Sequence, residues 1–483
     1  MFTPSRREFV KAAAAAAGAA LVPPTLDGQT SRGRAATLAS MNSAEEHGWD
    51  RVPSILARIK PPTLGRRAFP VTRYGAKADG ATDCTEAFRR AIGACAAAGG
   101  GRVVVAGGTF LTGPIHLRSR VNLEVQEGAT IRFATDPKAY EHYVLTRFEG
   151  VELMGLSPLI YASNASNVAI TGAGTLDGRS SHSVWWPWKG QTAHGWKSGT
   201  GNQSAARARL FEMAERNVPV ASRRFGVDSY LRPPFIQPYG CRNVLIEGVT
   251  IRNSPMWEIN PVLCRNVIVR GVRIETHGPN NDGCDPESCR DVLIERCHFD
   301  TGDDCIAIKS GRNADGRRIN VPTENVIVRD CEMRDGHGGV TIGSEISGHV
   351  RHVYVERCRM DSPQLDRALR LKNNAMRGGT LEHIYMRDVE VGQLADAVLQ
   401  VDFLYEEGAK GDFPPVVRDV ELLRVTSKKS NHGLYLRGYE KGTIADVRVI
   451  DCTFDGVAKP DVVEHVTGLV RRNVTVNGAK TSS

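Results

Sequence analysis

The sequence predicts an all-β solenoid, a chain of short strands wound into stacked coils, and three observations predict it. First, one unit recurs: Asn243-VLIEGVTI, Asn266-VIVRGVRI, Asp291-VLIERCHF, Asn325-VIVRDCEM, His352-VYVERCRM, His383-IYMRDVEV, Asp419-VELLRVT and Asp446-VRVIDCTF, with an earlier copy at Asn167-VAITGAGTL. The spacings between the eight later copies are 23, 25, 34, 27, 31, 36 and 27. A unit this short cannot bury its own apolar face, so it stacks on its neighbours. Second, each copy is a polar starter, an alternating β-branched strand and a second short strand, and the chain's 49 glycines call for turns instead of long helices. Third, Cys297, Cys331, Cys358 and Cys452 fall where other copies carry Val249, Val272 and Val389, which reads as a stack of buried thiols and not as disulfides or metal ligands. With strands and no helical repeat, the solenoid expected is a parallel β-helix.

The N-terminus is a different kind of segment. Ser5-Arg6-Arg7-Glu8-Phe9-Val10-Lys11, an Ala-rich run to Val22 and Pro23-Pro24 read as a twin-arginine export signal over residues 1–36. Export to the periplasm or beyond follows as an expectation. No later segment has about 18 consecutive apolar residues, so no membrane association is expected. Residues 37–66 read as a leader strapped to the outside of the fold, and 67–478 as the β-helical domain. Thr82 to Ala98 reads as a capping helix with Ala87, Ala91, Ile92 and Cys95 on one face and Gly99 to Gly101 as its stop.

The formal charge is +8, and the five basic and two acidic residues of the first 36 account for all but +5 of it. That excess suits a polyanionic partner, polysaccharide or nucleic acid alike. The interval between Asn167 and Asn243 is more than twice any other and breaks the rhythm. It holds an insertion over about 180–238 with Trp185, Trp186, Trp188 and Trp196, a predicted helix from Ala205 to Arg216, and Arg223, Arg224 and Arg232. An insertion in a solenoid maps to one face, often the binding face, and aromatic faces suit sugar rings.

The chemistry is carried by spacing. The steps from Asp282 to Asp303, from Asp304 to His337 and from His337 to Arg370 each match a single coil of the repeat. Coils stack about 4.8 Å apart, so Asp282, Asp303, Asp304, His337, Arg370 and Lys372 are expected to form one exterior stripe. Three crowded carboxylates repel unless they share a proton. Glycosidic hydrolysis needs that arrangement: one carboxyl protonated to donate to the leaving oxygen, another ionised to activate water.

At these residues the sequence resembles a known family. Asn280-Asn281-Asp282-Gly283, Gly302-Asp303-Asp304, Gly336-His337-Gly338 and Arg370-Leu371-Lys372 resemble, in order, the four signature motifs of glycoside hydrolase family 28, the polygalacturonases, and the resemblance runs from about Phe69 to Asn477. Asn281 stands where many members have Thr, and Leu371 where many have Ile. The Asn form is similar to the bacterial exo-acting branch. The resemblance implies a single-stranded right-handed parallel β-helix that hydrolyses α-1,4 bonds between galacturonates with inversion. Asp303 would be the general acid, Asp282 and Asp304 would hold and activate the water, and His337 would tune the acid or bind substrate. Arg370 and Lys372 would grip the galacturonate carboxylate. Lys309 and Arg312, with Arg317 and Arg318, are candidates for further carboxylates or for plain solvation, and Asp285 and Glu287 for a structural role. An inverting pair is expected about 6.5 to 9.5 Å apart. No cofactor and no metal are called for; the partner is an acidic polysaccharide, not nucleic acid, and a monomer is expected. Two rivals stand beside this: a lyase cleaving by β-elimination on the same scaffold, and a non-catalytic carbohydrate-binding β-helix.

Overall fold

The computed structural model describes residues 48–481, so the export signal and the first part of the leader lie outside the described residues. The coils build three faces. One face is a 14-stranded sheet in which every pairing is parallel, running from Ala68–Pro70 to Val466–Thr467. A second 14-stranded sheet runs from Asp79–Asp83 to Ala479–Thr481 and is parallel except for its last pair. The third face holds the strands Ile115–Leu117, Ile160–Ser163 and Ile236–Tyr239, then Ile306–Ile308, Val340–Ile342, Arg367–Lys372, Ala397–Asp402, His432–Arg437 and Val462–Glu464. Single bridges from Ile236 to Ile259, Cys284 and Ile306 join its two parts. The expected parallel β-helix is the fold.

The polar starters of the repeat have a backbone reason. Asn243, Asn266, Asp291, Asn325, His352, His383, Asp419 and Asp446 all have φ between 53° and 59°. Asn, Asp and His tolerate this left-handed region better than other non-glycine residues. The starter is skipped by the strand pairing, since Arg242 pairs with Arg265 and Val244 with Val267. Its side chain then bonds the starter of the next coil: Asn266 Nδ2 donates to Asn243 Oδ1 at 2.8 Å, and Asn325 Nδ2 to Asp291 Oδ1 at 2.9 Å. His352 and His383 stack at 4.7 Å.

Inside the coil, valine-type residues and the four cysteines pack as predicted; all eleven cysteines are free and buried. The capping helix spans Thr85–Ala97 and buries Ala87, Phe88, Ala91, Ile92 and Cys95. It starts three residues later than predicted because Asp79–Asp83 pairs with Gly108–Thr112 and the Asp83 carboxylate accepts from the Thr85 amide at 2.9 Å. The described part of the leader, a helical turn at Gly48–Arg51 and a helix at Val52–Arg58, lies on the outer face of the first sheet. Trp49, Val52, Ile55 and Ile59 cover Leu245, Ile268, Leu293, Ile327, Tyr354 and Tyr385, a file of outward apolar residues from successive coils.

The insertion carries a helix at Ser204–Glu215 and has a small core of its own, in which Leu210, Ala214, Phe225 and Leu231 pack on Phe148, Leu153, Met256 and Trp257.

Candidate active site

The third face forms the floor of a cleft of about 700 Å³. Asp282 is placed by Asn281, which uses both ends of its buried amide. Its Oδ1 accepts from Thr276 Oγ1 (2.8 Å) and the Gly278 amide (2.7 Å), and its Nδ2 donates to the carbonyls of Ser254 (3.2 Å) and Met256 (2.9 Å). A threonine cannot make all four bonds, which gives the departure at this position a structural function. One coil on, the Gly283 amide bonds the Asp304 carbonyl at 3.0 Å, stacking Asp304 above Asp282. The strand pairing Ala307 to Thr341 to Arg370 then brings the last two motifs over the same floor.

Asp282, Asp303 and Asp304 each present a carboxylate oxygen within 4.8 Å of the others. The expected exterior stripe is thus real as a grouping but not as an exposed one. The Asp303 side chain is 18% exposed, whereas those of Asp282 and Asp304 are 4% and 0% exposed.

Each acid has a different partner. Asp304 accepts from Lys372 Nζ at 2.7 Å, Thr341 Oγ1 at 2.7 Å and Arg370 Nη1 at 3.4 Å. Burial pushes its pKa up, but the two cations outweigh that and hold it well below the usual carboxylate range. Asp303 Oδ1 lies 3.0 Å from His337 Nδ1 and accepts from the Asp304 amide. There too burial raises the pKa and the histidine bond more than reverses it. The same bond lifts His337 to about 9. Asp282 has only Lys309 Nζ, at 3.4 Å, and its Oδ1 is unpartnered; burial and the neighbouring acids raise its pKa well above the ordinary value. Burial and the neighbouring acids thus favour the protonated form of Asp282, whereas the histidine bond favours the ionised form of Asp303.

Arg370 and Lys372 serve first to neutralise Asp304. Lys309 lines the cleft between Asp282 and Glu345 (3.3 Å), with its ammonium 4.4 Å from the Trp257 ring centroid. Arg312 does not line it. Its guanidinium stands behind the wall, within 3.3 to 3.7 Å of Glu345, Glu149, Glu406 and Glu407 and stacked on Phe211, so its two terminal nitrogens already face carboxylates. Arg317 stacks on Phe413, and Arg318 pairs with Glu152 and Asp315, both away from the acids. Asp285 and Glu287 are fully buried in the third face, Glu287 paired with Arg147 at 2.9 Å.

None of the four tryptophans of the insertion lines the cleft. Trp185 is buried in the main core against Tyr140, Trp188 packs between Trp185 and Tyr230, Trp186 Nε1 donates to the Ser254 carbonyl at 2.9 Å, and Trp196 Nε1 to the Thr200 carbonyl at 3.1 Å. The insertion instead contributes Lys189, Gln191, His194 and Arg207. These, with Trp257, Glu345, Arg367 and Tyr405, are among the lining residues that spacing did not reveal; Lys189 had a local signal, as the charge ending an aromatic run.

Among the described residues, two groups have the donors for a cation: the three acids, and His277 with Asp300 and Asp335. The first is a poor fit, since Lys372 and Lys309 already hold Asp304 and Asp282 at 2.7 and 3.4 Å. In the second, His277 Nε2 pairs with Asp300 at 2.9 Å.

The described residues thus form a parallel β-helix with a cleft of crowded carboxylates and cations on one face. The chain belongs to the glycosyl hydrolases family 28, whose sequence model matches residues 227–471, about half of it. It is similar to the crystal structure of a hyperthermoactive exopolygalacturonase from Thermotoga maritima, with 45% identity and a TM-score of 0.88 over 90% of this chain and 97% of that one. It is 28% identical to an exo-poly-alpha-D-galacturonosidase of Dickeya chrysanthemi over 71% of this chain and 58% of the relative. It is 29% identical to a probable polygalacturonase of Vitis vinifera over 65% of this chain and again 58% of the relative. The chain thus spans less than two thirds of the length of these two relatives.

Proposed function

We propose that the protein is a pectin-degrading hydrolase that cleaves α-1,4-galacturonosyl bonds from a chain end. The observation that carries this is the division of labour among three acids held within 4.8 Å. The family assignment and the named exopolygalacturonase relatives support the substrate class and the exo mode.

Asp303, the acid that reaches the cleft, donates to the leaving oxygen. It draws its proton from His337, 3.0 Å away. Asp304, ionised by Lys372 and Arg370, takes the proton of the attacking water. Asp282, whose protonated form is favoured by burial and by the neighbouring acids, holds that water by donating to it. Loss of the donor should cost on the order of 10² to 10⁴ in turnover. Asp303→Asn is therefore expected to release reducing ends from polygalacturonate at less than about a hundredth of the native rate while keeping the native circular dichroism. Near-native release would sink the assignment, and a ladder of oligomers in the first minutes, instead of one short product, would sink the exo mode.

Inversion is the outcome this reading expects, and retention would contradict it. The anomer first released, followed by proton NMR, decides: the β-anomer from an α-bond means inversion.

The twin-arginine segment supports export. Arg6→Lys with Arg7→Lys should retain the protein in the cytoplasm, and the mature protein should elute as a monomer.

A further inference from the structure

One cation of the cleft stands apart from the others. The cationic lining consists of Lys189, Arg207, Lys309, Arg367, Arg370 and Lys372, together with His337. Arg207 is paired with Glu149 at 2.6 Å, Lys309 with Asp282 and Glu345, Arg367 with Asp396 at 2.7 Å, and Arg370 and Lys372 with Asp304. His337 is paired with Asp303. Among the described residues, Lys189 has no carboxylate oxygen within ion-pair distance. Its Nζ donates to a neutral acceptor, Asn280 Oδ1, at 2.8 Å. That same oxygen accepts from Arg232 Nη2 at 2.8 Å, and the rest of the Arg232 fork is spent on the carbonyls of Pro255 and Pro279 and on Gln203. Two positive charges therefore converge on one amide oxygen, close in the chain to Asp282. An ammonium has three donors, so Lys189 keeps two for a ligand.

The surrounding structure holds this lysine in place. Trp185 is buried in the core, Trp186 is tied to the Ser254 carbonyl and Trp188 is wedged between Trp185 and Tyr230. The turn Trp186–Lys189 ends at Gly190, whose φ of 81° returns the chain. The tryptophan run that promised a sugar platform is the mount for a cation. Burial lowers the lysine's pKa and outweighs the longer-range pull of Glu149 and Asp303, neither of which is within ion-pair distance, so a carboxylate that arrives supplies the direct partner that the lysine lacks.

We infer that Lys189 receives the carboxylate of the galacturonosyl unit bound at the insertion end of the cleft, and so sets the preference for acidic over neutral sugar. This rests on the hydrolase reading for its substrate class. Lys189→Gln retains a donor for Asn280 and removes only the charge. Loss of a buried charge partner is worth about 30-fold or more.

The test titrates D-galacturonate and its methyl ester into the native protein and into Lys189→Gln and Lys189→Arg by calorimetry, beside kinetics on polygalacturonate. Expected are native preference for the acid over the ester, loss of that preference in Lys189→Gln, and partial rescue in Lys189→Arg, with the kinetic loss falling on KM more than on kcat. Equal weakening of acid and ester in Lys189→Gln overturns the inference, since it would leave Lys189 only a prop for Asn280. So does a native protein that binds neither. A native protein that prefers the acid but releases no reducing ends refutes the hydrolase reading and leaves Lys189 in its role.

Discussion

Replacing Lys372 by Met tests the idea that Asp304 is kept ionised as the base. Lys372 Nζ lies 2.7 Å from Asp304 Oδ2, and the two side chains are 8% and 0% exposed. Removing one member of a buried pair costs about 3 to 5 kcal/mol, because the other charge is left unpaired. Arg370 remains at 3.4 Å, so the lower end applies, about 3 kcal/mol. At about 1.36 kcal/mol per unit, that raises the Asp304 pKa by about two units. The native carboxyl is depressed, so its contribution is present above the unfolded carboxylate range and is lost as pH falls through the lower folded value. In Lys372→Met that loss starts about two pH units earlier on the way down. The assay is kcat/KM on polygalacturonate from pH 3 to 8, with thermal unfolding measured at each pH. The acidic limb should move up by about two units, and Lys372→Arg should restore most of it. An unmoved acidic limb with kcat/KM within about threefold of native would refute the role of Asp304.

The Asp303–His337 bond lifts the histidine to about 9, so its contribution to stability and to proton supply is complete below the ordinary histidine range and fades as pH rises through about 9; His337→Gln should abolish an alkaline limb there, and an unchanged limb would assign it elsewhere. Trp49, in the leader, is 7% exposed and packs on Tyr354 at 5.5 Å. Trp49→Ala should loosen that segment by about 3 kcal/mol, seen as faster proteolysis within residues 48–59 with turnover unchanged; loss of turnover in step would show that the leader reaches the cleft. Prolonged chelation should leave the rate on polygalacturonate intact, since Lys372 and Lys309 already hold two of the acids, and a loss restored by one added divalent ion would contradict that.

Much of this molecule was legible because its period is so regular. The polar starters, the Val/Cys position and the distance from Asp304 to His337 to Arg370 are all one-coil quantities, and a solenoid turns sequence distance into a place on a face. What sequence distance does not give is depth. Asp282, Asp303 and Asp304 are near neighbours in the chain, yet only Asp303 reaches the surface, because the other two point at Lys309 and Lys372. Arg312 reads as a cleft residue from its position after the acid pair, but four glutamates from other segments surround it. The insertion was the least legible part. Its tryptophans were visible as a composition, whereas their burial depends on Tyr140, Tyr230 and Ser254, which no local pattern connects to them.

The starter ladder shapes how such a chain can change. Asn167 and Asn243 are separated by the whole insertion and Asn243 and Asn266 by one short coil, yet Nδ2 of Asn243 meets Asn167 Oδ1 at 3.1 Å and Nδ2 of Asn266 meets Asn243 Oδ1 at 2.8 Å. The coil cannot tell the long excursion from the short one. A segment of any size is silent to the framework provided that it leaves and rejoins at the same rung, so loops can be exchanged like pages in a bound spine. New walls for the cleft can then be acquired without disturbing the carboxylates that face them.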